Sequence, residues 1–172
     1  WVQFIMQKLH ELDNSTSSNR ILIVDDDPNE LKSLVIGFGL EKFDADGAET
    51  GNIALRMLEE KDYSVVLIDL MMPDMNGLQL ARVVRSVFPS VTIVLMSAYH
   101  LSPVQLARAD AGVAGFVPKP FRFDTLVHFI QSKTRIHDDQ KNFEPASYIS
   151  DSGTYRPVEI PDLINDRDAE TL

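Results

Sequence analysis

Three short apolar runs constrain this chain more than any other feature: Ile21–Val24, Val65–Ile68 and Val91–Met96, each rich in Val and Ile and each followed at once by polar or turn residues. Runs of this length and β-branched character read as strands buried on both faces, as in a parallel sheet, although one short apolar run alone is equally compatible with a buried helix segment. Weaker runs fall around Phe43–Ala48 and Val113–Val117. Between the runs, apolar residues recur at three- and four-residue spacing: Leu31, Leu34, Val35 and Phe38; Ile53, Leu55, Met57 and Leu58; Leu78, Leu80, Ala81, Val84 and Val87; Phe123, Leu126, Val127 and Ile130. That spacing marks amphipathic helices. The fourth helix is the shortest, with Ser102 as cap, Pro103 in the first turn and an end near Gly112. Strand and helix alternate five times with short connections, which predicts an α/β fold: a doubly wound five-stranded parallel sheet over residues 20–136, with right-handed crossovers placing helices on both faces.

The flanks differ in character. Residues 1–14 predict an amphipathic helix, with Trp1, Ile5, Leu9 and Leu12 on one stripe that needs an apolar partner, in a dimer or a docking contact. Residues 15–19 read as a polar linker. Residues 137–172 mix prolines with nine acids and three bases and show no sustained periodicity, so an acidic tail, extended or disordered, is expected there. Most of the formal net charge of −10 sits in that tail. The balance argues against direct nucleic-acid binding, which needs clustered Lys and Arg. With no cysteine, disulfides, thiolate catalysis and cysteine-ligated metals are excluded, which suits a reducing compartment. No apolar run approaches the length needed to span a bilayer, so the chain is expected to be cytoplasmic and to make no membrane contact.

In a parallel sheet all strands point one way, and the residues that end them gather along the edge where open α/β sheets bind ligands. Here those ends are Asp25 and Asp26 after the first strand, Asp69 after the third, Ser97 after the fourth and Lys119 after the fifth. Three crowded carboxylates repel one another unless a cation sits among them. An all-oxygen donor set implies a hard divalent ion, Mg2+ or Mn2+. A metal, a lysine and a hydroxyl together suit a phosphoryl group, whose transfer depends on positioning and charge compensation, and Asp69 can be the nucleophile.

The blocks ILIVDDDP, VVLIDLMMPDMNGLQL, IVLMSAYH and GFVPKPF resemble, in order and spacing, the four sequence blocks of response-regulator receiver domains of two-component systems, the CheY-like family. The resemblance covers residues 20–136 and implies a flavodoxin-like strand order 2-1-3-4-5. It also implies a signalling switch, not an enzyme acting on a separate substrate, that catalyses its own phosphotransfer and dephosphorylation. By the same resemblance Asp69 is the phosphoacceptor, and the metal is held by Asp26 directly, Asp25 through water, Asp69 and the Met71 carbonyl. Ser97 is the switch hydroxyl, Lys119 pairs with the phosphoryl group, and the Lys119-Pro120 bond is a candidate cis peptide. Phe116 stands where many members carry a switch Tyr, and Met71 and Tyr99 stand where the family tunes phosphate lifetime. The implied partners are a sensor histidine kinase or histidine phosphotransfer protein and a downstream protein target met near the fourth and fifth helices. Apart from the resemblance, a homodimer is an open expectation, through the apolar stripe of residues 1–14 or through those two helices.

Plainer roles compete at several positions. Asp27, Pro28 and Glu30 fit a helix cap, first-turn proline and capping partner. His10, His100, His128 and His137 lack metal-ligand spacing, and Gly37 and Gly39 close a helix instead of opening a dinucleotide loop. A Mg2+-dependent phosphatase with an Asp nucleophile usually has a second acid two residues on, where this chain has Met71. A degenerate receiver, used purely for binding, normally loses one site residue; none is missing here.

Overall fold

The computed structural model describes residues 19–98, 112–139, 147–149 and 155–157. Its elements are β1 (Arg20–Val24), α1 (Pro28–Leu40), β2 (Asp44–Ala48), α2 (Gly51–Glu60), β3 (Val65–Asp69), α3 (Gly77–Val87), β4 (Thr92–Ser97), β5 (Gly115–Pro118), α4 (Phe123–Asp139), β6 (Ser147–Ile149) and β7 (Tyr155–Pro157). The first five strands run parallel in the order β2-β1-β3-β4-β5, as expected. The predicted helix over residues 1–14, its linker as far as residue 18, the fourth helix before Gly112, and Tyr99, His10 and His100 lie outside the described residues.

Alternation along the strands divides the core in two. On one face Leu22, Val24, Val66, Ile68, Ile93, Leu95 and Phe116 pack against Ala54 and Leu58 of α2 and Leu80, Ala81 and Val84 of α3. On the other Ile21, Ile23, Val65, Leu67, Val94, Met96 and Val117 pack against Leu31, Leu34 and Phe38 of α1 and Leu126, Val127, Phe129 and Ile130 of α4. Strands β3 and β4 are buried along their whole length, which explains their unbroken apolar sequence. The edge strand β2 is polar and half-exposed instead, with Asp44 and Asp46 turned to Arg20 and Lys61 at 2.6 and 2.9 Å. Charged edges of this kind discourage pairing with another chain.

At the C-terminal side two differences from the sequence reading emerge. Helix α4 continues to Asp139, past the expected boundary at 136, and the tail adds two strands, so the sheet has seven. Strand β6 lies parallel to β5, pairing Gly115 with Ser147 and Phe116 with Tyr148, and β7 runs antiparallel to β6. Each is three residues long, too short for a two-residue alternation to register in sequence.

Candidate functional site at the C-terminal sheet edge

Register delivers the site. Val24 pairs with Ile68, Asp69 with Met96, and Ser97 with Pro118, so the residues that end β1, β3, β4 and β5 emerge side by side. Backbone bonds continue past the strand ends: Asp25 N–H donates to the Ala48 carbonyl at 3.1 Å, Leu70 N–H to Met96 at 2.8 Å, and Lys119 N–H to Ser97 at 2.7 Å. The Lys119-Pro120 bond is cis, as the resemblance implies.

The carboxylates are held individually. Asp69 is buried and its Oδ2 accepts from the Met71 N–H at 2.7 Å, while Asp25 Oδ1 accepts from the Asp27 N–H at 2.9 Å. Between them the Lys119 ammonium donates to Asp25 Oδ2 at 3.0 Å and Asp69 Oδ1 at 2.7 Å, and reaches Glu30 Oε1 at 2.9 Å. Burial lifts the Asp25 carboxyl above the ordinary carboxylate range, only partly offset by the Asp27 N–H and Lys119. For Lys119 burial acts to lower the pKa, but its bonds to Asp69, Glu30 and Asp25 outweigh that and hold it above the ordinary lysine range.

Of the residues singled out in sequence, Asp25, Asp69 and Lys119 form one hydrogen-bonded cluster, and Ser97 is fully buried at the end of the neighbouring strand. Asp26 is exposed and lies outside the Lys119 ion pairs. Met71 is 57% exposed, and Phe116 is buried in the core cluster that includes residues of α2 and α3. His128 sits on the outer side of α4 and its Nδ1 lies 2.8 Å from the Asp124 carbonyl, a helix-internal contact.

Two residues of the site escaped the sequence reading. Glu30 does not complete a capping box. Asp27 does cap α1, accepting from Asn29 N–H at 2.8 Å and Glu30 N–H at 3.1 Å, but its own N–H is taken by Asp25, so the Glu30 side chain turns to Lys119. The other is Gly77. A Cβ there would collide with the Asp69 carbonyl oxygen and lie 2.8 Å from Leu70 Cα, and its N–H donates to the Leu70 carbonyl at 2.9 Å. The Asp-Met-Asn-Gly turn at 74–77 was the available signal, since such a turn folds the chain back on the strand end just before it.

The donor set suits a hard cation. Its carboxylates are all oxygen donors, and among the described residues Lys119 is the cation paired with them. Among the described residues no three His, Cys, Asp or Glu side chains are grouped so as to hold a metal by themselves. One or two carboxylates completed by backbone oxygen and water is the usual manner of binding Mg2+.

Fold and site thus define a flavodoxin-like α/β domain whose ligand edge is an acidic cluster bridged by one lysine. The model of the response regulator receiver domain matches residues 21–131, and the chain belongs to that family. Among relatives, the DNA-binding response regulator MtrA of Mycolicibacterium smegmatis is 35% identical over 135 residues, covering 78% of this chain and 57% of MtrA. The regulatory protein AtoC of Escherichia coli is 32% identical over 126 residues, covering 73% of this chain and 27% of AtoC. The chain therefore spans about a quarter to a little over half of these relatives. Among solved structures, response regulator TrrA of Thermotoga maritima in complex with Mg2+-BeF matches with a TM-score of 0.61 and 31% identity, covering 67% of this chain and 98% of that one. A CheY-like receiver domain protein of Methanospirillum hungatei matches with a TM-score of 0.66 and 26% identity, covering 70% and 96%. The chain is thus a receiver domain of the two-component response-regulator type, a signalling module. Among the described residues no helix is long and apolar enough to cross a membrane.

Proposed function

We propose that Asp69 accepts a phosphoryl group from a phosphohistidine and that Lys119, Ser97 and the neighbouring acids support the transfer. The observation that carries this reading is the buried Asp69 carboxylate. Met71 N–H fixes one of its oxygens, and the other lies 2.7 Å from an ammonium that can follow the charge to a phosphoryl oxygen. In the transfer a carboxylate oxygen of Asp69 forms a bond to phosphorus as the phosphorus–nitrogen bond breaks, and the imidazole of the donor leaves carrying the electron pair and takes up a proton. Lys119 and the Ser97 hydroxyl meet the phosphoryl oxygens. Asp25, Asp26, Asp69 and the Met71 carbonyl are the residues that would hold Mg2+ or Mn2+, which supplies charge compensation at the phosphoryl group. The Mg2+-BeF complex of TrrA, a 31% identical structure, supports the assignment.

The donor is a sensor histidine kinase or a histidine phosphotransfer protein, and the site of action is the cytoplasm. The output is a change at a protein-interaction surface near the fourth and fifth helices expected from the sequence, with Phe116 as the buried switch position and Met71 and Tyr99 setting phosphate lifetime. That surface serves a downstream protein or a second copy of the chain, and the segment 1–14 serves as a docking or dimer helix. Direct nucleic-acid contact falls to no residue of this chain, because the tail beyond the receiver is acidic.

The test is incubation with Mg2+ and a small phosphodonor. A single base-labile phosphoryl adduct is expected in the wild type and none in Asp69→Asn; an undiminished adduct in the variant overturns the assignment.

A further inference from the structure

An ammonium has three protons, and Lys119 has three carboxylates within 3.0 Å: Asp25, Asp69 and Glu30. Two of these contacts are hydrogen bonds, to Asp25 and Asp69, and the third, to Glu30, is an ion pair at 2.9 Å. For Lys119 to meet a phosphoryl oxygen without giving up Asp25 or Asp69, Glu30 must leave it.

The three are not equally anchored. The Asp25 side chain is 2% exposed and is bound through its other oxygen to the Asp27 N–H; Asp69 is 9% exposed and is bound to the Met71 N–H. Glu30 is 36% exposed and lies on the first turn of α1, on a flexible side chain with water to receive it. A cleft of about 360 Å3 lined by Glu30, Ala98, Lys119, Pro120 and Phe121 opens beside the ammonium, so Glu30 stands in the wall of the approach to Lys119.

We propose that Glu30 is the displaceable third ligand of Lys119, a positioning residue that holds the ammonium in the unphosphorylated site and yields its place to an oxygen of the incoming phosphoryl group. The inference rests on Asp69 being the phosphoacceptor. Its driving force is the exchange of a partly solvated ion pair, worth little, for a charge-assisted bond to a phosphoryl oxygen within the site. While it is paired, the Glu30 carboxylate competes with the phosphoryl group for the charge of Lys119, and its own charge repels an anionic donor entering the cleft. Sequence allows the role because the reciprocal capping position is closed to Glu30 by the Asp25 contact to Asp27 N–H.

The experiment is titration of the full chain with beryllofluoride in the presence of Mg2+, followed by binding affinity and by the carboxyl 13C resonance of Glu30, assigned by its disappearance in Glu30→Gln. In the wild type the Glu30 resonance is expected to move to the position of a solvated carboxylate as the mimic binds. Glu30→Gln is expected to bind the mimic about threefold more tightly, the scale of a lost exposed ion pair. A wild type that binds with an unmoved Glu30 resonance, or a Glu30→Gln affinity equal to or weaker than wild type, overturns the proposal while leaving the phosphoacceptor reading intact. A wild type that binds no better than Asp69→Asn overturns both. The Glu30 resonance can also be assigned in the wild type through its side-chain-to-backbone correlations, so the proposal stays testable if Glu30→Gln is unstable.

Discussion

Lys119 Nζ lies 2.7 Å from Asp69 Oδ1, although 50 residues separate the two in sequence. The closeness follows from the β3-β4-β5 register and from the Lys119 N–H bond to the Ser97 carbonyl, which carries the end of β5 alongside β4. The ammonium therefore occupies the acidic edge of the sheet before any ligand does, and it takes part of the compensating role that the sequence pattern alone assigned to a metal.

Replacing Lys119 by Met removes that charge and leaves Asp25 and Asp69 buried together. Breaking one partner of a buried pair typically costs about 3–5 kcal/mol, and partial solvation of this cluster reduces the expectation to roughly 2 kcal/mol. Urea unfolding in EDTA should show the loss. Added Mg2+ should recover more stability in Lys119→Met than in wild type, because a cation that binds only the folded state stabilises it by mass action. Equal unfolding midpoints in EDTA would show that the acids are not held by Lys119.

Asp25 carries a pH dependence of definite sign. Burial raises its folded-state pKa above the unfolded value of 3.8, so the folded state holds the proton more tightly. The contribution to stability is fully present below the unfolded pKa and is lost as pH rises through the raised folded value. At neutral pH the ionised Asp25 thus works against folding. Asp25→Asn is expected to raise the urea midpoint at pH 7 in EDTA, and the gap to wild type should close as pH falls toward 4. A variant less stable than wild type at pH 7, or a gap that widens on acidification, contradicts this.

Legibility in the sequence depended on whether a residue's neighbours are near it in the chain or across the sheet. The strands β1, β3 and β4 show in their Val- and Ile-rich runs because both faces are buried, Asp25, Asp69 and Ser97 show because each follows directly on such a run, and Lys119 shows at the end of the weaker run of β5. Glu30 was misplaced because its position satisfies a local rule, and the contact that overrides it lies with a lysine at the far end of the domain. Gly77 is a glycine for the sake of the Asp69 backbone it touches; the turn at 74–77 signals the bend but not the backbone it meets. Strand β6 exists through pairing with β5 and β7 through pairing with β6, so nothing in their own three residues announces them.

Gly77→Ala should harm both fold and site. The added methyl meets backbone at Asp69 and Leu70, which cannot swing aside as a side chain can. Overpacking of this kind costs about 1–3 kcal/mol. Because relief requires moving the end of β3, the rate of phosphorylation by a small donor should fall by more than the folded fraction does. A variant with wild-type stability and rate would mean that the loop before α3 shifts freely, contrary to the Gly77 N–H bond to Leu70.

The tail strands lead to a test of self-association. Strand β5 would be the sheet edge if the chain stopped at Asp139, leaving a row of unpaired N–H and C=O groups as a template for another chain. A chain ending there should fold, since the two core clusters use no residue beyond Ile130, but should self-associate more than the full chain in sedimentation velocity. Truncation also removes seven acids and three bases, and the lost self-repulsion would act in the same direction. Tyr148→Pro in the full chain separates the causes: it keeps every charge, while proline opposite Phe116 has no N–H to donate and is disfavoured inside a sheet. Association of Tyr148→Pro to the same extent as the truncated chain identifies pairing of β6 with β5 as the protective feature, whereas a proline variant that stays monomeric beside an associating truncation assigns the effect to charge.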